Sequence, residues 1–209
     1  MTEIKDQPIQ NFLDELASKS ATPGGGSAAA FMGAQGAALV SMVCQLTIGK
    51  PKFAEVEAEL QEVLERAESL RAELTDLIKA DIDVFNRLMS KYALPKETDE
   101  EKAIRSEAIQ DILKQATEVP LQCVHACLKI IQLSQIAAEK GSPGVVSDAG
   151  AAVMSAYGGL KTSALNVYIN VGSLKDKDFA EAKLAELEAA VTGIDDVVNK
   201  IYETVKNRL

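Results

Sequence analysis

The sequence predicts an all-α protein, a single up-and-down-like bundle of long helices that dimerises. Apolar residues recur at three- and four-residue spacing along most of the chain, and no stretch alternates as a strand would. Aromatic residues make up only 4% and Trp is absent, so the core must be aliphatic and close-packed. No linker or low-complexity segment divides the chain, which we therefore expect to form one domain over residues 1–209.

Two helices open the bundle, followed by a long charged one. Apolar spacing predicts a helix over about 8–18, and the turn residues of 20–27 predict a loop. The segment 27–48 is apolar on nearly every face, as expected of a central helix. After Gly49-Lys50-Pro51, a long helix with a charged first half is predicted over about 53–92.

The second half of the chain starts with a capping box. Thr98 and Glu101 open a helix to about Lys140, with a kink expected at Pro120. Ser147-Asp148 then caps a helix predicted over about 149–171.

A last helix is predicted over about 178–205, with a break near Gly193. The helices near 27–48 and 149–171 carry more small-residue surface than one short bundle can use. We therefore expect at least a homodimer.

Charge and cysteine content exclude several classes of protein. The net charge of −9 argues against nucleic-acid binding, which needs a basic surface. Three Cys without framework spacing indicate reduced thiols, and the N-terminus lacks a signal-peptide pattern, so a cytoplasmic address is expected. The segment 27–48 is long enough to cross a membrane but contains Gln35 and Gln45, so a buried helix is preferred.

Two short motifs resemble ligand-binding patterns, but their context argues against a metal site and a dinucleotide site. Cys123 and Cys127 share a helix face, whereas His125 points elsewhere, so no metal site is expected. Gly24, Gly26 and Ala29 fit a relaxed dinucleotide pattern, but a helix and not a strand precedes them. Three glycines before a helix still expose N–H groups that suit an anion or a polar ring, unless they form only a connector.

A small set of polar side chains interrupts or ends apolar helix faces. These side chains could bind a flat ring rich in donors and acceptors, or they could be polar pairs that fix helix register. Asp148 has a further alternative role as a helix cap. The set comprises Lys50, Asp81 and Asp83, of which one is expected to face inward, Asp148, Lys161, Asn166 and Asn170.

Motifs across nearly the whole chain resemble the cyclodeaminase/cyclohydrolase family of folate enzymes. The resemblance is carried by these segments, in the family's order: Ser20-Ala21-Thr22-Pro23-Gly24-Gly25-Gly26-Ser27, Leu46-Thr47-Ile48-Gly49-Lys50, Leu94-Pro95-Lys96, Val119-Pro120-Leu121, Ser147-Asp148 and Ala164-Leu165-Asn166-Val167. One departure is Gly141-Ser142, where the family usually has Gly-Asn, so no role is carried over to Ser142.

The resemblance implies a helical homodimer with a folate cleft at or near the subunit interface. It offers two activities: hydrolysis of methenyl-tetrahydrofolate to formyl-tetrahydrofolate, and release of ammonia from formimino-tetrahydrofolate. The segments Ser41–Lys50 and Ser155–Leu160 resemble the cyclohydrolases of methylotrophs more closely. The hydrolase is therefore the expected activity, and the cyclodeaminase and a non-catalytic ligand-binding dimer are the alternatives.

The residue types suit that chemistry. A carboxylate can stabilise the cationic amidinium carbon and relay a proton, a role predicted first for Asp81 and second for Asp148. Lys50 could steady the developing oxyanion. Substrate binding is predicted for Gly24, Gly25, Gly26, Ser27, Asn166 and Asn170. No metal, and no cofactor beyond the tetrahydrofolate substrate, is expected.

Overall fold

Seven α-helices connected by short turns make up the computed structural model, which describes residues 3–209. Within that range there is no β-strand, so the all-α prediction is confirmed. Short 3₁₀ turns precede α1, α3 and α5. The helices are α1 (Ile9–Leu16), α2 (Gly25–Gln45), α3 (Glu57–Tyr92), α4 (Asp99–Lys140), α5 (Val146–Gly172), α6 (Lys177–Val191) and α7 (Ile194–Lys206).

Helix α2 lies at the centre and packs against α3, α4 and α5. Its small residues make this packing possible. A Cβ on Gly33 would lie 2.7 Å from the Cys127 sulfur of α4, and one on Gly36 would lie 2.9 Å from the Ala152 carbonyl oxygen of α5. The close approach of three neighbours explains why α2 is built from Ala, Gly and Ser.

Helices α3 and α5 both run antiparallel to α2, with α2 between them. Near its start, α2 contacts Asp81 of α3 through Gly26, and Gly159 of α5 through the Ala29 carbonyl. Near its end, Val43 lies against Gly141, which directly precedes the turn into α5. The bundle therefore has two distinct ends, about 30 Å apart along the 21 residues of α2.

Several local predictions are confirmed. The capping box of α4 is present, because Thr98 Oγ1 accepts from the Glu101 N–H at 3.1 Å and Glu101 accepts from the Thr98 N–H at 3.0 Å. The break near Gly193 separates α6 from α7, and Gly193 adopts a φ of 73° that suits glycine.

Other boundaries differ from prediction. Helix α2 begins at Gly25, so Gly25, Gly26 and Ser27 lie in its first turn and not in a loop. The predicted capping of α5 by Ser147-Asp148 is wrong, because α5 begins at Val146 after Val145, with no side-chain cap. The 3₁₀ turn Pro143–Val145 carries the chain directly into the helix, so no polar cap is needed there.

Helix α2 is also long and apolar enough to cross a membrane, with a mean hydropathy of 1.5 over its most apolar window. In the bundle, 61% of that window is buried against the neighbouring helices. The apolar composition of α2 therefore matches its position at the centre of the fold.

Candidate active site

Asp81 of α3 lies against the first turn of α2. The Ser27 hydroxyl donates a hydrogen bond to Asp81 Oδ2 at 2.7 Å. Ser27 is fully buried, and Asp81 is largely so. The glycine-rich segment and Asp81, separated by more than fifty residues in sequence, are thus brought together as one unit.

Gly26 makes room for this carboxylate. A Cβ at Gly26 would lie 2.1 Å from Asp81 Oδ1 and 2.6 Å from its Cγ, far inside van der Waals contact. The glycine at this position is required because the carboxylate occupies the space of its missing side chain. At the adjacent Gly25, a Cβ would meet nothing within 4 Å.

The first turn of α2 supplies positive electrostatic potential to the carboxylate. The helical ladder begins with Ala28, whose N–H bonds to the Gly24 carbonyl at 3.0 Å, so earlier N–H groups have no helical acceptor. From the sequence, this glycine-rich helix start could bind an anion or a polar ring, or serve only as a connector. In the structure, Asp81 itself is an anion placed there.

Burial raises the pKa of the Asp81 carboxyl, and hydrogen bonds from the Ser27 hydroxyl and backbone N–H oppose that rise. Among residues 3–209, no Lys or Arg forms an ion pair with Asp81. A carboxyl in this setting can both accept and release a proton at a pH where an exposed Asp remains ionised.

Asn166 and Asn170 lie further along α5, on the face that carries Gly159. Because Gly159 contacts the Ala29 carbonyl near the start of α2, both amides are placed beyond that start. Past this point α3 continues to Tyr92 and α5 to Gly172, with α4 packed against both.

The amide nitrogens of both asparagines are already engaged. Asn170 Nδ2 donates to the Ala116 carbonyl at 2.6 Å, and Asn166 Nδ2 donates to the Thr162 carbonyl at 3.0 Å. Pro120 has no N–H, so the Ala116 carbonyl lacks its helical donor, and Asn170 replaces it. This structural role could not be read from sequence, because nothing linear connects Asn170 to Pro120.

Lys50 and Asp148 lie at the other end of the bundle. Lys50 is exposed and follows Thr47, whose Oγ1 accepts from the Ser142 N–H at 2.9 Å, close to the start of α5. Asp148 is in the first turn of that helix. A single chain thus places Lys50 about 30 Å from Asp81 and does not combine them in one site.

The cysteines and the histidine separate as expected. His125 Nε2 bonds to Glu186 Oε1 at 2.9 Å on the surface, whereas Cys123 and Cys127 are buried. In the described part of the chain, no three His, Cys, Asp or Glu side chains form a group able to hold a metal ion.

These features define an all-α protein with a candidate acid–base group, the Asp81 carboxyl, at the start of its central helix. The candidate site combines a largely buried carboxyl, a hydroxyl that donates to it and helix N–H groups without a helical acceptor. Proton transfer to and from a polar, planar molecule is the chemistry that such a set can perform.

Comparison with known proteins identifies the particular family. Residues 8–189 match the formiminotransferase-cyclodeaminase family, and the chain belongs to it. The chain is 54% identical over 204 residues to a methenyltetrahydrofolate cyclohydrolase of Methylorubrum extorquens, covering 98% of both chains. The family resemblance inferred from the motifs is confirmed.

Two further relatives carry the other activity in their names. The chain is 34% identical to the formimidoyltransferase-cyclodeaminase of Rattus norvegicus, matching over 85% of this chain but 33% of that protein. The crystal structure of a formiminotetrahydrofolate cyclodeaminase from Thermotoga maritima superposes with a TM-score of 0.84 at 28% identity, covering 99% of this chain and 98% of that one.

Proposed function

We propose that this protein hydrolyses methenyl-tetrahydrofolate to formyl-tetrahydrofolate in one-carbon metabolism. The observation that carries the proposal is the full-length, 54% identical relative named methenyltetrahydrofolate cyclohydrolase. The buried carboxyl at the start of α2 supplies a group suited to that reaction. Such metabolism fits a cytoplasmic enzyme.

Asp81 is the proposed proton acceptor and donor. Its carboxylate takes a proton from the attacking water as the oxygen bonds to the amidinium carbon, which removes the positive charge of the substrate. The protonated Asp81 then gives this proton to a ring nitrogen as the carbon–nitrogen bond breaks. The new hydroxyl loses its proton to solvent, leaving the formyl group, so the reaction balances with water alone.

The surface beyond the start of α2, where α3 and α5 extend past it, is the proposed folate site. Asn166 and Asn170 keep their Oδ1 atoms as acceptors for the donor groups of a pterin edge, since their Nδ2 atoms are engaged. Gly25 is exposed and Gly24 half-buried, and without side chains both would allow close approach of the ligand to the backbone. The roles first predicted for Lys50 and Asp148 stay predictions. A single chain does not bring either residue close to Asp81.

A homodimer is part of the proposal. Helix α2 contains no charged residue, yet Met42 and Leu46 are 42% and 43% exposed. With Gln45, and with Glu68 and Arg71 from α3, they line a shallow groove of about 520 Å³ between α2 and α3. An uncharged, partly apolar face on the central helix is typical of a surface that a second subunit covers.

The cyclodeaminase is the second candidate, because the solved relative from Thermotoga maritima and the rat relative are named for it. The two activities differ in substrate, so one assay separates them. The purified protein is incubated with methenyl-tetrahydrofolate and followed by absorbance, then with formimino-tetrahydrofolate with ammonia measured. We expect rapid loss of the methenyl absorbance over the rate without enzyme.

Ammonia release as the faster reaction would favour the cyclodeaminase. A protein that binds folate but accelerates neither reaction would be a ligand-binding protein, and this result would overturn the proposed enzymatic function.

A further inference from the structure

Ser27 was predicted to bind substrate, but its position assigns it another task. The side chain is fully buried and its hydroxyl donates to Asp81 Oδ2 at 2.7 Å. A buried hydroxyl already bonded to a carboxylate has no surface left for a ligand. We infer that Ser27 is a positioning residue, which holds Asp81 in one orientation and supports both of its protonation states; this rests on the proposed function of Asp81.

The orientation follows from the two carboxylate oxygens having different surroundings. Oδ2 is held by Ser27, while Oδ1 lies in the space left by the missing side chain of Gly26. Rotation about the Cβ–Cγ bond would break the bond to Ser27, so the carboxylate is restrained. Oδ1 is then the oxygen left to exchange a proton with water or substrate.

The Ser27 hydroxyl has a second acceptor within reach. Its oxygen lies 3.5 Å from the Ile78 carbonyl oxygen, one turn before Asp81 on α3. When Asp81 is ionised, the hydroxyl donates to Oδ2. When Asp81 is protonated, that acceptor weakens, and the hydroxyl can turn its proton toward the Ile78 carbonyl without leaving its site. Neither state of Asp81 leaves the buried hydroxyl without an acceptor.

Few other titratable groups act on Asp81. Helix α2 has no ionisable side chain near it, and from α4 the buried Cys123 thiol is the titratable group close enough to interact with it. On α3 itself, Lys79 and Asp83 pair with each other on the exposed side. Ser27 is therefore the group whose removal should move the titration of Asp81.

The test is the pH dependence of kcat/KM for Ser27→Ala on methenyl-tetrahydrofolate. Loss of a hydrogen bond to a carboxylate destabilises its charged form and raises its pKa. The acidic limb of the kcat/KM profile should therefore move to higher pH by roughly one unit. Activity should recover toward the wild-type value at higher pH, with KM little changed. The control Ser134→Ala removes another buried hydroxyl, bonded to the Ile130 carbonyl at 2.8 Å, and should not shift the limb.

Carbon-13 NMR of the Asp81 carboxyl, without substrate, measures the same shift independently of catalysis. A raised Asp81 pKa in Ser27→Ala supports the inference. An unshifted pKa, with activity lost equally at every pH and KM raised, would overturn it and return Ser27 to substrate binding. Full activity of Asp81→Asn would instead contradict the proposed function of Asp81. The NMR measurement would still show whether Ser27 lowers the pKa of Asp81.

Discussion

At the scale of the residue, the site depends on how two adjacent glycines differ. Gly26 gives its side-chain space to the Asp81 carboxylate, whereas Gly25 faces open space. The sequence shows three equivalent glycines and cannot distinguish them, because the distinction comes from a residue on another helix.

This difference predicts a split between kcat and KM. Gly26→Ala should lower kcat strongly, because its Cβ displaces Asp81, while Gly25→Val should raise KM by obstructing approach to the helix start. Steady-state kinetics on both variants, with circular dichroism as the folding control, make the comparison. Equal effects on kcat from both variants would contradict the placement of Asp81 at Gly26.

The buried carboxyl should also cost stability at neutral pH. Because its pKa is raised in the folded state, the folded protein binds more protons than the unfolded chain between the two pKa values. Stability therefore falls as the pH rises through that window. Asp81→Asn removes this dependence, and its Tm relative to wild type should increase from acidic to neutral pH. If the Tm of Asp81→Asn instead decreases relative to wild type from acidic to neutral pH, the ionised Asp81 stabilises the fold and this expectation is wrong.

At the scale of the element, α4 runs unbroken from Asp99 to Lys140 although Pro120 lies inside it. The sequence predicted both the helix and a disturbance at Pro120. It could not show that Asn170 of α5 donates to the Ala116 carbonyl that Pro120 leaves without a helical donor. Helix existence follows from local periodicity, whereas this pairing depends on how α4 and α5 dock.

A double-mutant cycle measures this pairing. Asn170→Ala should lower the free energy of unfolding by about 1–3 kcal/mol, since it orphans a largely buried carbonyl. In a Pro120→Ala background the helix supplies its own N–H, so the same change should cost less. Asn166→Ala is the matched control, because Asn166 bonds to a carbonyl of its own helix. Identical costs of Asn170→Ala in both backgrounds, by urea denaturation, would contradict the account.

At the scale of the whole molecule, the fold was largely predictable and the site was only partly so. The apolar periodicity and the Gly and Pro stops placed every long helix, and the missing charge on α2 indicated its central position. Lys50 and Asp148 were grouped with Asp81 because each is a polar side chain that interrupts or ends an apolar helix face. Their separation along α2 is a consequence of antiparallel packing, which composition and spacing do not encode.

The exposed face of α2 should hold two subunits together. Met42→Glu places a charge on that face and should convert a dimer to a monomer that stays helical, because Met42 is exposed within the chain. Val197→Glu on α7, equally exposed, is the control and should stay dimeric. Light scattering at micromolar concentration reports the mass. A wild-type monomer, or a Met42→Glu dimer, would remove this face from the interface.

The central claim is that the Asp81 carboxylate transfers the proton in methenyl-tetrahydrofolate hydrolysis. The most direct test is single-turnover decay of methenyl absorbance with excess wild-type or Asp81→Asn protein, at concentrations where folate binding is confirmed by calorimetry. Asp81→Asn keeps the shape of the side chain and an acceptor for Ser27. We predict a rate reduced by about 10²–10⁴-fold with binding retained. A folded Asp81→Asn protein that turns over substrate at the wild-type rate would contradict the claim.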